Sequence, residues 1–569
     1  MEKFGTLEFV LDRYSGTWCW KISGNRAVNM VSKLIPRGWY GDKPDEVIVS
    51  DNDENTKKLK MIDDRYSFEV LSNSVWKRKI APLTIKKIRV PKIEKLQQAT
   101  PSKQFRGTLL DFQREGLDFL IKSSGNALLA DEMGLGKTVQ TLAYISKEKT
   151  AFPALIIAPL VTLTNWQREI EKFLKKKGKN GKIIENEAPS SIMIRNGKLA
   201  DIGKYDFYII NYELLHKRLP DLLKLGIRSV VCDEVQHLRS KTTQKYAAVK
   251  TLAAVESIKY RVGLSGTPIY NRGSEIWPIV DILKPGLLGN FREFCEYFCY
   301  LDERGKAIVV PAKRDSLRHV LQKHVMLRRK KSEVLKELKE KVRYTEIIAA
   351  DVNYYKHELT EIWNKLEEEQ KTAKTEFLKH ASYQRAIQSE RQVAGVAKLP
   401  SVIEFVKNIM EIEESVVVFC HHKAIHKLLH ESLQEFNPSS IIGGQTDKDR
   451  QRNIDCFQNG DTKLMIAGLR AGNLGINLTR AKYVIFAELD WSPAIHLQAE
   501  DRLHRIGQKN TVFAYYLIGN ETLDEHVANI LVDKSYEIDA IMDEKRESFE
   551  NKEKAKLILA QIHDKIRSK

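Results

Sequence analysis

Two short strings of residues define the chemistry open to this chain. Asp131-Glu132-Met133-Gly134-Leu135-Gly136-Lys137-Thr138 follows the apolar run 127–130 and opens a helical pattern through Val139, Leu142 and Ala143. A strand, a glycine-bearing loop and a helix N-terminus in that order make a phosphate loop. Gly134 and Gly136 let backbone N–H groups close on phosphate oxygens, and the helix end adds positive potential. Lys137 is then placed to reach the β- and γ-phosphates, and the Thr138 hydroxyl to ligate Mg²⁺. Farther along, Asp233-Glu234-Val235-Gln236 ends the apolar run 229–232, and the carboxyl end of a strand is where an open α/β sheet presents its ligands. There Asp233 would hold the Mg²⁺, and Glu234 would orient and deprotonate an attacking water. Together the strings predict hydrolysis of a nucleoside triphosphate.

A third string, Gln498-Ala499-Glu500-Asp501-Arg502-Leu503-His504-Arg505-Ile506-Gly507-Gln508, supplies cations. Arg502 and Arg505 are three apart, so on a helix they share a face. Both could then point at a γ-phosphate as arginine fingers.

These groups need two α/β lobes to position them. Residues 96–285 alternate strand and helix as in a doubly wound parallel sheet, with strands expected at 155–158, 207–211, 229–232 and 262–265. Residues 286–395 are rich in Lys, Glu, Leu and aromatics and read as a helical insertion or linker. Alternation resumes over 396–525, with strands expected at 416–420, 463–467, 483–487 and 512–517. Residues 526–569 read as a charged helical tail. Residues 1–95 form a small accessory α+β domain with Trp18, Trp20, Trp39 and Trp76, read as an ordinary core ahead of a substrate platform, and 83–101 as a linker. Only the first lobe has a phosphate loop, so the second is expected to complete the site when the cleft closes.

Composition narrows the setting. Among 569 residues, 42% hydrophobic and 30% charged, no apolar run is long enough to span a bilayer, and no basic-then-apolar leader opens the chain. Six scattered cysteines, at 19, 232, 295, 299, 420 and 456, lack zinc spacing and suit a reducing, intracellular compartment. That implies the nucleus in a eukaryote and the cytoplasm otherwise. A net charge of +18 suits a polyanionic partner. The lysine-rich run 175–182 reads as a solvated loop, and His421 and His422 as strand-end residues rather than metal ligands.

The motifs, in this order and spacing over about 105–525, resemble the SWI/SNF family of superfamily 2 helicase-like ATPases. Phe112-Gln113-Arg114-Glu115-Gly116 is similar to the family's adenine-reading motif, with Gln113 on the base edge. The string 131–138 is the family's own form of the phosphate loop, which accounts for Asp131 where a glycine is usual. Ala158-Pro159 with Asn165-Trp166-Gln167-Arg168-Glu169 resembles motif Ia, Asn211-Tyr212-Glu213 the next DNA-side motif, and Leu264-Ser265-Gly266-Thr267-Pro268 motif III. Met326-Leu327-Arg328-Arg329-Lys330-Lys331 matches the segment leaving the first helical insertion. Gly472-Asn473-Leu474-Gly475-Ile476-Asn477-Leu478 resembles motif V, and His504-Arg505-Ile506-Gly507-Gln508 is the ending of motif VI. Leu110 stands where the family often has arginine, and His237-Leu238 where motif II usually continues to Lys-Asn. Residues 397–403, 418–423 and 486–491 look like the branch that includes the annealing helicases.

The resemblance implies two RecA-like lobes with helical insertions, ATP and Mg²⁺ as cofactors, and an ATP-dependent translocase on double-stranded or forked DNA. Such a protein remodels DNA structures or protein–DNA complexes. The implied nucleotide site comprises Gln113, Asp131, Met133, Gly134, Leu135, Gly136, Lys137, Thr138 and Gln498. Its catalytic groups are Lys137, Asp233, Glu234, Arg502 and Arg505, with Thr138 and Asp233 on Mg²⁺. Thr162, Asn165, Tyr212, Lys423 and Gly472 are the implied DNA contacts. Other DNA-bound proteins are implied as partners, no membrane is, and a monomer is expected. Two rivals stay open at this level: an RNA-dependent ATPase, and a nucleotide-gated DNA scaffold without productive turnover.

Overall fold

Uninterrupted Val, Ile, Leu and Ala runs bury both faces of a strand, the signature of a parallel sheet covered by helices on each side. A computed structural model realises that pattern twice. It describes residues 4–12, 16–35, 39–41, 43–66, 68–80, 96–178, 182–194, 203–302, 305–373, 375–413, 415–472 and 476–543. Most of the expected linker, residues 179–181 of the lysine-rich run, residues 473–475 of motif V and residues 544–569 of the tail lie outside the described residues. The chain divides into two units, 1–91 with 286–300, and 92–285 with 301–569.

In the first unit five strands lie in the order Trp39–Tyr40, Glu46–Ser50, Trp18–Ser23, Thr6–Leu11, Glu69–Val70. The first four are antiparallel to their neighbours, and Glu69–Val70 runs parallel to Thr6–Leu11. Leu7, Trp20, Ile22, Val47 and Val49 pack with Val31, Leu59, Ile62 and Trp76 from three helices. Two of the four tryptophans are therefore core. Trp18 is not: it is 55% exposed and stacks on Phe9 with ring centroids 5.1 Å apart.

The second unit holds both large sheets. Lobe one has seven parallel strands in the order Ser191–Ile194, Phe207–Asn211, Ala154–Ala158, Ser229–Asp233, Tyr260–Leu264, Asn126–Leu129, Met326–Leu327. Lobe two has six, also parallel: Lys341–Ile348, Val512–Gly519, Tyr483–Phe486, Val416–Cys420, Leu464–Gly468, Ser439–Ile441. The expected strands are all present within a residue or two. The short edge strands 191–194 and 439–441 were not expected, because at four and three residues they are brief and stand beside no motif.

Residues 286–395 are largely helical, and they also give a strand to each lobe. Met326–Leu327 joins lobe one beside Asn126–Leu129, and Lys341–Ile348 joins lobe two along the whole of Val512–Gly519. The latter alternates charged and apolar residues, as an edge strand half open to water does. The long helices Val352–Thr372 and Glu376–Ala397 do follow, with Asp351 and Thr375 capping their first turns. The boundary expected at 525 also falls inside one helix, Leu523–Met542, whose Val527 and Leu531 belong to the lobe-two core. Among the described residues no helix is long and apolar enough to cross a membrane.

One buried ion pair ties these pieces together. Lys398 has none of its surface in water, and its ammonium donates to Leu517 O at 2.6 Å and pairs with Asp524 at 2.5 Å. It joins the entry of helix Leu399–Ile412, the end of the strand Val512–Gly519 and the start of helix Leu523–Met542. Removing one partner strands a buried charge. Lys398→Met is expected to cost about 3 kcal/mol of stability, measured by denaturant unfolding.

Candidate nucleotide site

The loop between strand Asn126–Leu129 and helix Lys137–Lys147 turns on two glycines in left-handed backbone, Gly134 at φ 92° and Gly136 at φ 75°. A side chain at Gly136 would also collide with Gln113, whose Nε2 lies 2.5 Å from the position of a Cβ. Lys137 folds back over the loop and donates to the carbonyls of Asp131 at 2.6 Å and Glu132 at 3.1 Å. Burial lowers its ammonium pKa, with Glu234, Asp131 and Asp233 pulling the other way. A lysine held only by loop carbonyls is one that phosphate oxygens can recruit.

Asp131 has a different part from the one expected of it. Its carboxylate is fully buried and accepts from Arg329 Nε at 3.0 Å, Arg329 Nη2 at 2.5 Å and Gln140 Nε2 at 3.3 Å. Arg329 also donates to Phe112 O and, at 3.1 Å, to Gln140 Oε1. With both its oxygens taken inside the protein, the Asp131 carboxylate braces the loop. Gln113 likewise spends its side chain locally: Oε1 accepts from Leu110 N at 3.0 Å and Nε2 donates to Leu135 O at 3.4 Å. It caps the first turn of its helix and links it to the loop. Leu135 is buried, and Met133 packs against Gly266 of motif III.

The acidic pair stands at the carboxyl end of strand Ser229–Asp233, as expected. Asp233 Oδ2 accepts from the Trp166 indole at 2.8 Å and Oδ1 from Glu234 N at 3.0 Å. The Tyr212 hydroxyl donates to Asp233 O at 2.7 Å. Burial, and then the neighbouring Glu234, push the Asp233 carboxyl up to about 6, against the Trp166 hydrogen bond and Lys137. Glu234 sits in left-handed backbone, at φ 48° and ψ 55°. A non-glycine residue there stores about 1 kcal/mol or more of strain, a cost found where a side chain must be aimed. Thr138, in the first turn of the helix, and Asp233 offer oxygen donors of the kind Mg²⁺ takes, the remainder coming from phosphate and water. A carboxylate whose ionisation is already opposed by burial, as that of Asp233 is, fits a site that receives a divalent cation.

The cations of lobe two do not stand on a helix. Pro493–Glu500 stops short of them, and residues 501–508 form successive turns closed by Arg502 N→Ala499 O, Leu503 N→Glu500 O and Gln508 N→Arg505 O. Charge ends the helix. Glu500, fully buried, accepts from Arg343 at 2.7 Å through both oxygens, from Tyr516 at 2.7 Å, and pairs with Lys341 at 2.8 Å. Burial opposes its ionisation, but Arg343 and Lys341 hold the carboxyl well below the usual range. Gln508 then pins the turn with bonds to Thr479 O at 3.0 Å and Ala481 O at 2.9 Å.

The turn nonetheless brings its arginines to lobe one. Arg505 Cβ lies 3.3 Å, and its Cα 3.9 Å, from where a Cβ on Gly134 would stand. Arg502 is buried, and burial lowers its guanidinium to about 10, with Glu234 holding it up and Arg505 pressing it down. Lys137, Glu234, Arg502 and Arg505 thus share one electrostatic neighbourhood. Gln498 reaches the other way, donating to Thr267 Oγ1 of motif III at 3.0 Å. It lines a cavity of about 820 Å³ with Glu234, Tyr212, His237, Tyr270 and Arg470.

The expected DNA contacts divide. Asn165 and Lys423 are exposed and Thr162 half-buried. Gly472 closes the short helix Leu469–Gly472. Tyr212 is 1% exposed, with its ring stacked on His237 and its hydroxyl on Asp233 O, so it supports motif II. Three residues with large roles had no role assigned from sequence: Trp166, Arg329 and Lys331. The signal for Arg329 was Asp131 itself, since a buried carboxylate demands a cation.

A family model described as the SNF2-related domain matches residues 112–394, and one for the helicase conserved C-terminal domain matches 398–507. The chain is 30% identical over 437 residues to a SWI/SNF-related matrix-associated actin-dependent regulator of chromatin subfamily A-like protein 1 from Drosophila melanogaster, covering 75% of this chain and 55% of that protein. A Caenorhabditis elegans homolog of the same name is 26% identical, covering 88% and 69%. A DNA annealing helicase and endonuclease from Mus musculus is 30% identical, covering 74% and 39%. The chain thus spans about half the length of most of the curated relatives it matches. Among solved structures, a Sulfolobus solfataricus SWI2/SNF2 ATPase core in complex with dsDNA aligns at 25% identity over 78% of this chain and 96% of that one, with a TM-score of 0.38.

The Asp233 environment makes a prediction about pH. Its carboxyl is raised in the folded chain, so between the unfolded value near 3.8 and about 6 the folded state holds the extra proton. Stability without divalent cation should therefore fall as pH rises through that window, by about 1 kcal/mol between pH 5 and 7. Denaturant midpoints across that range should show the slope in the wild type and a flatter one in Asp233→Asn.

Proposed function

The chain belongs to the SNF2-related helicase-like family, and from that membership and the site geometry we propose that it is an ATPase driven by duplex or forked DNA. One observation carries the reading: the arginine-bearing turn of lobe two lies against the phosphate loop of lobe one, with Arg505 at Gly134. Lys137, released from the loop carbonyls, takes the β- and γ-phosphates. Thr138 and Asp233 hold the Mg²⁺ that accompanies the nucleotide and neutralises its charge. Glu234, aimed by its left-handed backbone, orients the attacking water and accepts its proton. Arg502 and Arg505 stabilise the charge that builds on the transferring phosphoryl group.

DNA enters through the same closure. A duplex lying across both lobes favours the arrangement in which their groups meet, so it accelerates hydrolysis, and reopening after product release moves one lobe along the strand. Thr162, Asn165 and Lys423 are the surface positions assigned to phosphate contacts. Such contacts grip without reading sequence and weaken steeply with salt. Annealing of DNA is the form of work suggested by the name of one relative, the DNA annealing helicase and endonuclease.

Steady-state hydrolysis tests this with no nucleic acid, duplex, forked and single-stranded DNA, and RNA. The rate should be low alone, rise strongly with duplex or forked DNA and lose that stimulation as salt is raised. Lys137→Ala should abolish it, and Arg505→Ala should lower it about a thousandfold or more. Stimulation by RNA alone, or one rate under all five conditions, would overturn the reading.

A further inference from the structure

Residues 328–331 have no role in the hydrolytic chemistry above, yet they touch each part of it. Arg328 Nη1 donates to Ala130 O at 3.0 Å and Gly266 O at 2.8 Å, joining the phosphate loop's strand to motif III. Arg329 holds Asp131. Lys331 reaches across to lobe two. Its backbone N–H donates to Glu132 Oε2, inside the phosphate loop, at 2.8 Å. Its ammonium donates to Asp501 Oδ1 at 2.8 Å and to His504 O at 2.5 Å. Asp501 precedes Arg502 and His504 precedes Arg505. One residue, 2% exposed, therefore links the loop of lobe one to the turn that carries Arg505.

The contact is close on both sides. Lys331 Cε is 3.8 Å from where a Cβ on Gly134 would stand, next to Arg505 Cβ at 3.3 Å. Lys341 shares the same carboxylate, 3.2 Å from Asp501 Oδ1, which fixes Asp501 from the lobe-two sheet. Burial opposes the Asp501 charge, but Lys331 and Lys341 hold its carboxyl at about 2. Lys331 differs from Lys137 in this respect. Lys137 rests on loop carbonyls of its own lobe, whereas the Lys331 ammonium is committed to the turn of the other lobe.

We propose that Lys331 is a positioning residue, a buried strut that sets how the arginine turn of lobe two registers on the phosphate loop of lobe one. It acts on hydrolysis through Arg505 and rests on the reading of Arg505 as a catalytic cation. Without the strut the turn keeps its own bonds to lobe two but loses its reference to the loop. A shift of about 1 Å in a catalytic group can cost about 100-fold in rate.

The test is a double-mutant cycle on single-turnover ATP hydrolysis, with enzyme in excess and duplex DNA saturating. It is paired with the affinity for a non-hydrolysable ATP analogue. Lys331→Met should slow hydrolysis by about 10- to 100-fold while the analogue binds within about threefold of wild type. In an Arg505→Ala background the same substitution should cost less than about twofold, because the group it positions is gone. Asp501→Asn, which removes the acceptor from the lobe-two side, should repeat the pattern and carries the test if Lys331→Met does not fold. If the losses multiply, or analogue affinity falls in step with rate, Lys331 merely supports the loop and the proposal fails. If Arg505→Ala alone leaves hydrolysis unchanged, this proposal and the proposed function fall together. If Arg505→Ala collapses hydrolysis and Lys331→Met does not touch it, only this proposal falls.

Discussion

The shape of the phosphate loop depends on one buried carboxylate. Asp131 stands where a glycine is usual, has no surface in water, and is held by two nitrogens of Arg329. A paired, planar fork of this kind fixes both distance and orientation. Arg329 passes that constraint on, to the start of the Gln113 helix through Phe112 O and to the phosphate-loop helix through Gln140. A loop that must hold phosphates by its backbone needs such a frame, because glycines alone leave it too free. The cost is dependence: removing either partner leaves the other as an uncompensated buried charge.

The groups that face the nucleotide are arranged against their own comfort. Burial lowers the Lys137 ammonium, raises the Asp233 carboxyl to about 6 and lowers the Arg502 guanidinium to about 10. Glu234 adds backbone strain. In the proposed mechanism an Mg²⁺–nucleotide would supply the opposite charges that ease the three burial costs. Placing such costs at a functional site is the usual direction of the exchange between stability and function. The network around Glu500 does the reverse. Its charges are matched within the protein, so it can hold the turn still while the catalytic groups change partners.

Much of this was legible in the residues, and the remainder was hidden for identifiable reasons. The strands that carry the phosphate loop and the acidic pair are short apolar runs, but each leads straight into a recognisable motif, and they lie where the sequence put them. The edge strands did not announce themselves, since Ser191–Ile194 and Ser439–Ile441 are short and Lys341–Ile348 alternates charge with apolar residues. Helical spacing suggested one face for Arg502 and Arg505. The capture of Glu500 and the Gln508 bonds replaced the helix by turns, tertiary contacts that no local pattern encodes. The intramolecular bonds of the Tyr212, Gln113 and Asp131 side chains were not legible, because a motif gives a residue's place and not the direction of its side chain.

The central claim is that lobe two's arginines act on the transition state of a reaction assembled on lobe one. Its most direct measurement compares two affinities, for a non-hydrolysable ATP analogue and for the ADP–aluminium fluoride complex that mimics the transferring phosphoryl group, in the wild type and Arg505→Ala with duplex DNA present. The account predicts that the substitution weakens the transition-state mimic by about 100-fold or more while the ATP analogue changes only a few-fold. Equal losses for both ligands, or none for either, would contradict it.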